Sequence, residues 1–308
     1  MKLDHRRTIL VGLAFLSICA FWQMYDSVIP KILTETFRLN ETISGAIMAL
    51  DNILALFLLP LFGALSDRTS TKIGRRMPFI LLGTACAAVL MNLLPVLDNR
   101  YAAAPSTGKL VGFAAVLGLL LVAMGTYRSP AVALMPDVTP NPLRSRANAI
   151  INLMGAVGGI LYLAVAAILY SQKRLDAMGL TKADRLDYQP LFLIVSAIMF
   201  VSVGILFLTI KEPRLAKEHQ KLEAQHPEWN LAETDATGAE VLPKPVRRSL
   251  RFLLASIALW FMGYNGVTTW FTTYVSAVMG QGLGGASTCL LIATGGAIVS
   301  YIPIGALA

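Results

Sequence analysis

The chain has 308 residues, of which 56% are hydrophobic and only 14% are charged, and its net charge is +8. A soluble globular domain carries about 25% charged residues, so this composition, with a mean hydropathy of +0.63, excludes an ordinary soluble domain and indicates an all-α protein that crosses a membrane repeatedly. The positive charge does not indicate nucleic-acid binding, because the Lys and Arg residues lie mainly in loops on one side of the apolar segments.

Apolar runs near the length that crosses a bilayer core recur along the chain and predict transmembrane helices. In chain order they cover residues 8–33, 42–66, 79–97, 110–135, 147–170, 190–210, 251–279 and 285–308. The first run resembles a signal peptide, but it is too long and lacks a small-residue cleavage site, so we interpret it as helix 1. Lys and Arg are more numerous in the connections on the N-terminal side, which predicts a cytoplasmic N-terminus.

A polar stretch divides the chain into two unequal parts. Residues 1–210 form a predicted six-helix bundle, residues 211–250 a cytoplasmic linker with partial helix at best, and residues 251–308 two further helices. The linker is rich in Lys, Glu, Gln and Pro and contains no apolar run long enough to span a membrane. We therefore expect the linker to join two membrane-embedded parts.

The second part loosely repeats the first. Trp22–Asp26 has a counterpart in Trp260–Asn265, and Pro60–Leu65 has one in Pro303–Leu307. Two parallel halves of a carrier leave such internal matches. The repeat stops where a second charged loop would begin, so we expect a carrier truncated after its eighth helix; an eight-helix protein in its own right is the alternative.

The loop between helices 2 and 3 is the most distinctive stretch. It reads Gly63-Ala64-Leu65-Ser66-Asp67-Arg68, then five residues, then Gly74-Arg75-Arg76. This loop resembles the signature of the major facilitator superfamily, and its spacing is similar to that of sucrose-type carriers and glycoside–cation symporters. Ser129–Asp137 followed by Arg144–Ala149 resembles the same carriers.

The resemblance implies a major facilitator fold, here a six-helix N-terminal half plus the first two helices of the C-terminal half, and cation-coupled sugar uptake by alternating access. It also implies a cytoplasmic gate. The implied gate residues are Gly63, Asp67, Arg68, Gly74, Arg75 and Arg76, with Asp137 and Arg144 as candidate partners.

Two positions depart from the carriers that the chain resembles. Val132 stands where plant sucrose carriers have an Arg, and Arg128 lies one turn earlier. Ala55 and Leu59 stand where melibiose-type relatives have paired acidic residues. The second departure favours a proton over sodium as the coupling ion.

Three ionisable residues lie inside predicted helices, where such groups are costly and usually functional. The helical rise places Asp26 about 10 Å and Asp51 about 14 Å from the outer end, and Arg128 about 10 Å from the inner end. We therefore predict an outer acidic layer, an inner basic layer, and coupling between Asp26 and Asp51 rather than an Asp26–Arg128 bridge. One of the two carboxylates is the expected carrier of the coupling proton.

Neutral polar and aromatic residues near these charges are the candidate substrate-binding groups. They are Trp22, Gln23, Asn52, Asn148, Asn152 and Asn265, together with Arg128. Trp22 can stack on a sugar ring or serve as a packing surface. The amides and charges can also serve only to hold helices together.

Enzymatic chemistry finds little support in the sequence. His5, His219 and His226 are the only histidines, all lie in predicted water-facing segments, and the three cysteines lie singly in apolar runs. We expect no catalytic group, metal or cofactor. We expect a monomeric multi-pass protein of the cell membrane, whose partners are a small solute such as a sugar and the lipid bilayer. A non-transporting fragment, and a carrier or exporter of a non-sugar solute, are the alternatives.

Overall fold

The computed structural model describes residues 3–180, 184–226 and 244–307. Within these ranges the chain is helical and contains no β-strand. The helices are α1 (His5–Lys31, continued by the π-helical turn Ile32–Thr36), α2 (Glu41–Arg68), α3 (Met77–Ala103), α4 (Thr107–Val138), α5 (Arg144–Leu169), α6 (Gln172–Ala177), α7 (Gln189–Thr209), α8 (Glu212–Gln225), α9 (Lys244–Met279) and α10 (Leu283–Leu307). A 3-10 turn, Asn141–Leu143, precedes α5.

Seven helical segments of the described chain are long and apolar enough to cross a membrane. They contain α1, α2, α3, α4, α5, α7 and α9, and these correspond to the first seven predicted transmembrane helices. The eighth predicted helix corresponds to α10, Leu283–Leu307, which is apolar over Leu283–Ala297, the part whose side chains the structure describes. The predicted all-α polytopic membrane fold is therefore confirmed.

Two helices occupy connections that the sequence leaves largely irregular. The short helix α6 lies between α5 and α7, and α8 occupies much of the predicted linker. The seventh apolar helix, α9, begins at Lys244, seven residues before the predicted start at residue 251. Residues 227–243 of the linker lie outside the described residues. The part of the linker that the structure describes is therefore largely helical.

Polar side chains cap the N-termini of three of the long helices. The Asp4 carboxylate accepts a hydrogen bond from the Arg7 backbone N–H at 3.0 Å, and the Asn40 side chain accepts one from Ile43 at 2.8 Å. Ser106 caps α4 in the same way. These side chains satisfy backbone donors that have no partner within the helix.

α1 lies at the centre of the bundle and packs on α5 and α7, while α3 packs on α4. Glycines allow the helix backbones to approach closely. A Cβ on Gly158 of α5 would lie 2.0 Å from the Leu16 carbonyl oxygen of α1, and one on Gly83 of α3 would lie 2.9 Å from the Tyr127 backbone nitrogen of α4. Small residues at such crossings are characteristic of helix packing in membranes.

Contact between α9–α10 and the rest of the chain is confined to one end. The buried side chains are Thr272 and Val275 near the end of α9, and Leu283, Ala286 and Ser287 at the start of α10. Every side chain of α9 from residue 245 to residue 267 is exposed. Among the side chains of α9 and α10 that the structure describes, those buried against the bundle therefore lie near the α9–α10 turn.

Candidate functional site

The predicted gate residues form an ion-pair cluster at one end of the bundle. The buried Arg76 guanidinium donates to Asp137 at 2.7 Å and also pairs with Asp67. Arg75 pairs with the same Asp137 carboxylate at 2.6 Å. The loop after α2, the start of α3 and the end of α4 are thereby joined; we call this end of the molecule the charged-loop end.

The other predicted gate residues differ in their contacts. Gly63 accepts a long bond from Arg76 at 3.4 Å through its carbonyl oxygen, and Arg68 is exposed. Arg144 donates to backbone carbonyls of its own loop, Pro136 and Thr139, both at 3.3 Å. Asp137 therefore pairs with Arg75 and Arg76, and Arg144 also lies 4.0 Å from Glu223 of α8. A role of these residues in gating stays a prediction.

Glu212, at the start of α8, completes this cluster and was missed by the sequence analysis. Its carboxylate is 2% exposed and accepts hydrogen bonds from the backbone N–H groups of Arg75, Arg76 and Met77 at 2.8–2.9 Å. It therefore caps α3, which has no cap of its own. A carboxylate at a helix N-terminus is also stabilised by the helix dipole.

Gly74 is required by this capping arrangement. Its φ is +124°, a conformation that L side chains rarely adopt, and a Cβ there would lie 2.1 Å from a Glu212 carboxylate oxygen. The backbone conformation and the nearby carboxylate thus explain why glycine occupies position 74, in addition to its place in the loop motif. The distance along the chain between residues 74 and 212 explains why local pattern analysis did not find the pair.

α8 packs against α4 at the charged-loop end. His219 is buried on this helix, and its Nε2 lies 3.4 Å from Glu223. Burial lowers the pKa of His219 from its ordinary value, and Glu223 only partly offsets that effect, while Arg144, Asp137 and Arg7 act on it from α5, α4 and α1. His219 is therefore neutral near pH 7.

Two of the intramembrane charged residues, Asp51 and Arg128, lie beside Trp22. The Arg128 guanidinium lies 5.6 Å from the centroid of the Trp22 ring, within the range of a cation–π interaction. Asp51, Arg128 and Trp22 line one small cavity, and Asp26 lies one helical turn from Trp22 on α1. The Arg128 side chain therefore lies beside Trp22 and Asp51 rather than in a separate inner layer, because it is long enough to reach them from α4. Coupling between Asp26 and Asp51 stays a prediction.

A small cavity lies inside this group. Its volume is about 20 Å³, which is enough for one water molecule and too little for a sugar. The cavity is lined by Trp22, Asp51, Leu54, Ala55, Leu58, Leu59, Leu121, Gly125 and Arg128. In this conformation the group surrounds a space for one water molecule. The helices must move apart before these residues can contact a larger solute.

Aromatic side chains add two polar atoms to the group. Trp22 contacts Tyr25 edge to face, with ring centroids 5.3 Å apart. The Trp22 Nε1 and the Tyr25 hydroxyl are buried and have no hydrogen-bond partner within the described part of the chain. Both are donors, and buried donors are normally satisfied. They are additional candidate solute contacts, of which the sequence analysis identified only Trp22.

The remaining predicted solute contacts lie on several surfaces. Gln23 faces Gly159 of α5, and Asn52 donates to Asp51 at 2.9 Å. Asn148 and Asn152 share an exposed face of α5, as their spacing predicts, with a bond of 2.9 Å between them. Asn265 is exposed on the part of α9 that makes no buried contact. The structure does not bring Asn265 into the group around Trp22.

No group of three or more His, Cys, Asp or Glu residues suited to a metal ion occurs among the described residues. The polar sites are instead ion pairs and amides distributed along helices. The chemistry that these sites support is reversible binding, proton exchange and the making and breaking of ion pairs.

The family follows from comparison with known proteins. The model of the Major Facilitator Superfamily matches residues 11–308, nearly the whole chain. The chain belongs to this superfamily. The predicted major facilitator fold is therefore confirmed, and transport rather than enzymatic catalysis is the activity to which this family and its transporter relatives point.

Three proteins with similar sequences are named as transporters or symporters. The chain is 29% identical over 152 residues to "Sucrose transport protein SUC3" of Arabidopsis thaliana, covering 46% of this chain and 25% of that protein. It is 35% identical over 114 residues to "Sucrose transport protein SUC4" of Arabidopsis thaliana, covering 34% and 22%. It is 30% identical over 121 residues to "Putative glycoside/cation symporter YagG" of Escherichia coli K12, covering 39% and 25%. The matched region thus spans at most 25% of the length of each of these relatives.

Proposed function

We propose that this major facilitator chain belongs to a proton-coupled symporter of a sugar, such as a disaccharide or glycoside, that works by alternating access in the cell membrane. The observation that carries the proposal is the group of Trp22, Asp51 and Arg128 around one cavity within the membrane-spanning helices, with Asp26 one helical turn from Trp22 on α1. Two neighbouring carboxylates beside a cation can exchange a proton, and an indole ring can stack on a sugar. The names of the relatives support the same solute class.

The residues divide into three roles in this proposal. Asp26 and Asp51 carry the coupling proton. Trp22, Gln23, Asn52, Arg128, Asn148, Asn152 and Asn265 contact the solute. The ion-pair cluster around Arg76 belongs to a gate at the charged-loop end, which we place on the cytoplasmic side because Lys and Arg are concentrated there.

Uptake of radiolabelled sucrose and maltose into proteoliposomes under an imposed proton gradient tests this function. The chain is assayed as it stands and, in parallel, extended to twelve helices. Accumulation that a protonophore abolishes supports proton symport, and accumulation only by the extended chain identifies the 308 residues as part of the carrier. No accumulation of either sugar by either form contradicts the sugar assignment, and uptake that a protonophore leaves unchanged contradicts the proton assignment.

A further inference from the structure

The end opposite the charged loops is closed where α9 packs on α1 and α10 packs on α5. Here the end of α1 and its π-helical turn, the α5–α6 connection and the α9–α10 turn come together. Two of the contacts that cross this end, one through a buried lysine and one between backbones, connect α9–α10 to the first part of the chain.

The first contact is made by Lys31. This residue is only 4% exposed, and its Nζ donates to Ser276 Oγ of α9 at 2.7 Å and to Glu35 at 2.6 Å. A buried ammonium needs such partners, because removing it from water is costly. Ser276 therefore supplies part of the solvation of Lys31 only while α9 stays against α1.

The second contact is made by Gly284 at the start of α10. A Cβ on Gly284 would lie 2.1 Å from the Tyr170 carbonyl oxygen and 3.0 Å from the Ser171 backbone nitrogen. Both are backbone atoms, which cannot rotate away as a side chain can. Only glycine permits α10 to approach the end of α5 this closely.

These contacts border a cavity rather than a filled core. A cavity of about 1050 Å³ lies at this end, and its lining includes Lys31, Glu35, Tyr170, Ser276 and Gly284. Because much of the interface is open space, the closed arrangement depends on the contacts around the cavity. Loss of one contact is therefore expected to change the balance between closed and open arrangements.

We propose that Lys31 and Gly284 are positioning residues that hold the solute pathway closed at the end opposite the charged loops, Lys31 through Ser276 and Gly284 through the backbone at Tyr170. This inference rests on the proposed function only in that the pathway opens and closes during transport. At the charged-loop end, the side chains of α9 over residues 245–267 are exposed. This part of α9 therefore does not pack on the charged loops.

Distances between two spin labels test the proposal without any solute. Cys19, Cys86 and Cys289 are replaced by Ala, and labels are placed at the exposed residues Glu41 and Met279 in the chain reconstituted in lipid nanodiscs. The unaltered sequence should give mainly the short distance of the closed arrangement. Lys31→Met and Ser276→Ala should each raise the ratio of open to closed populations by about tenfold, the value of one charge-assisted hydrogen bond.

The double variant and a glycine pair sharpen the test. Lys31→Met combined with Ser276→Ala should shift the populations no further than either single change, because both remove the same bond. Gly284→Ala should remove the short distance, whereas Gly282→Ala, where a Cβ would meet nothing within 4 Å, should keep it. The exposed Lys173→Met is the matched control for loss of a lysine charge.

Unchanged distances in both Lys31→Met and Gly284→Ala would overturn the proposal, as would equal shifts in these variants and their controls. Sugar uptake is measured separately on the same samples. Shifted distances without sugar uptake would uphold the closing contacts and contradict the proposed solute, so the two failures are distinguishable.

Discussion

At the scale of single residues, Asp137 is the acid on which the charged cluster depends. It accepts from both Arg75 and Arg76 and is 13% exposed, whereas Asp67 is 55% exposed. We expect Asp137→Asn to lower the free energy of unfolding by about 3 kcal/mol, because the buried Arg76 loses the more buried of its two charge partners. Asp67→Asn should cost less than about 1 kcal/mol. Unfolding in detergent measures both, and an equal loss in the two variants would contradict this ranking.

Glu212 gives a second prediction at this scale. Glu212→Ala removes the acceptor of three backbone N–H groups and should lower the free energy of unfolding by about 1–3 kcal/mol. Glu212→Gln, which keeps one acceptor oxygen, should cost less. Glu218→Ala, on the exposed side of the same helix, is the control. If the midpoints of thermal unfolding for Glu212→Ala and Glu218→Ala coincide, Glu212 does not cap α3.

The charged residues near the loop after α2 are singled out by the sequence because Asp67, Arg75 and Arg76 stand close together between two apolar runs. The pairing of Asp67 with Arg76 is seen only in the folded chain. Glu212 is remote in sequence, and its burial is a property of the folded chain alone. Arg128 was misplaced because helical rise locates its Cα, whereas the side chain extends far enough to reach Trp22.

At the scale of elements, α8 is a packed helix although its composition is polar. Its sequence is too polar for a membrane helix, so the linker appears irregular, yet Glu212 and His219 turn inward and are both buried. The transmembrane helices, by contrast, follow directly from apolar length, which backbone hydrogen bonding in lipid makes decisive. Tertiary contacts at the charged-loop end, rather than local apolar pattern, therefore define α8.

The docking of α8 should depend on pH through His219. Its pKa is lowered by burial in the folded protein, so the detached helix binds the proton more tightly. Above the ordinary pKa of about 6.5 neither state is protonated and docking has its full stability. As the pH falls below that value, the detached state gains a proton first and docking weakens, until the docked state is protonated as well.

Hydrogen exchange over residues 212–225, corrected for the intrinsic pH dependence, measures this effect. The protection of α8 should decrease from pH 7.5 to pH 5.5 in the unaltered chain and should change much less in His219→Asn. His5→Asn, at the exposed start of α1, should keep the unaltered behaviour. Equal pH dependence in His219→Asn and the unaltered chain would show that other groups control α8.

At the scale of the whole molecule, the order of helices and the family follow from the sequence, but the one-sided contact of α9–α10 does not. Hydropathy assigns α9 to the membrane along most of its length and carries no information about which part of it meets another helix. That contact includes Lys31, Ser276 and Gly284, which do not stand out in the sequence. Local composition predicts which segments are helices, whereas the place where two helices meet depends on contacts between residues far apart in the chain.

Energy coupling is also a property of the whole cycle, because a proton gradient drives accumulation only if the empty carrier returns without its proton. An asparagine at the proton-carrying residue imitates the protonated acid permanently. If Asp26 carries the proton, Asp26→Asn should abolish gradient-driven accumulation, and if Asp51 carries it, Asp51→Asn should do so. The same variant should preserve exchange of labelled for unlabelled sugar, because exchange requires no net proton movement. The exposed Asp176→Asn should keep both activities. Gradient-driven accumulation with unaltered pH dependence in both Asp26→Asn and Asp51→Asn would remove the carboxylate pair from the coupling mechanism, and loss of exchange in both would assign the pair to solute binding instead.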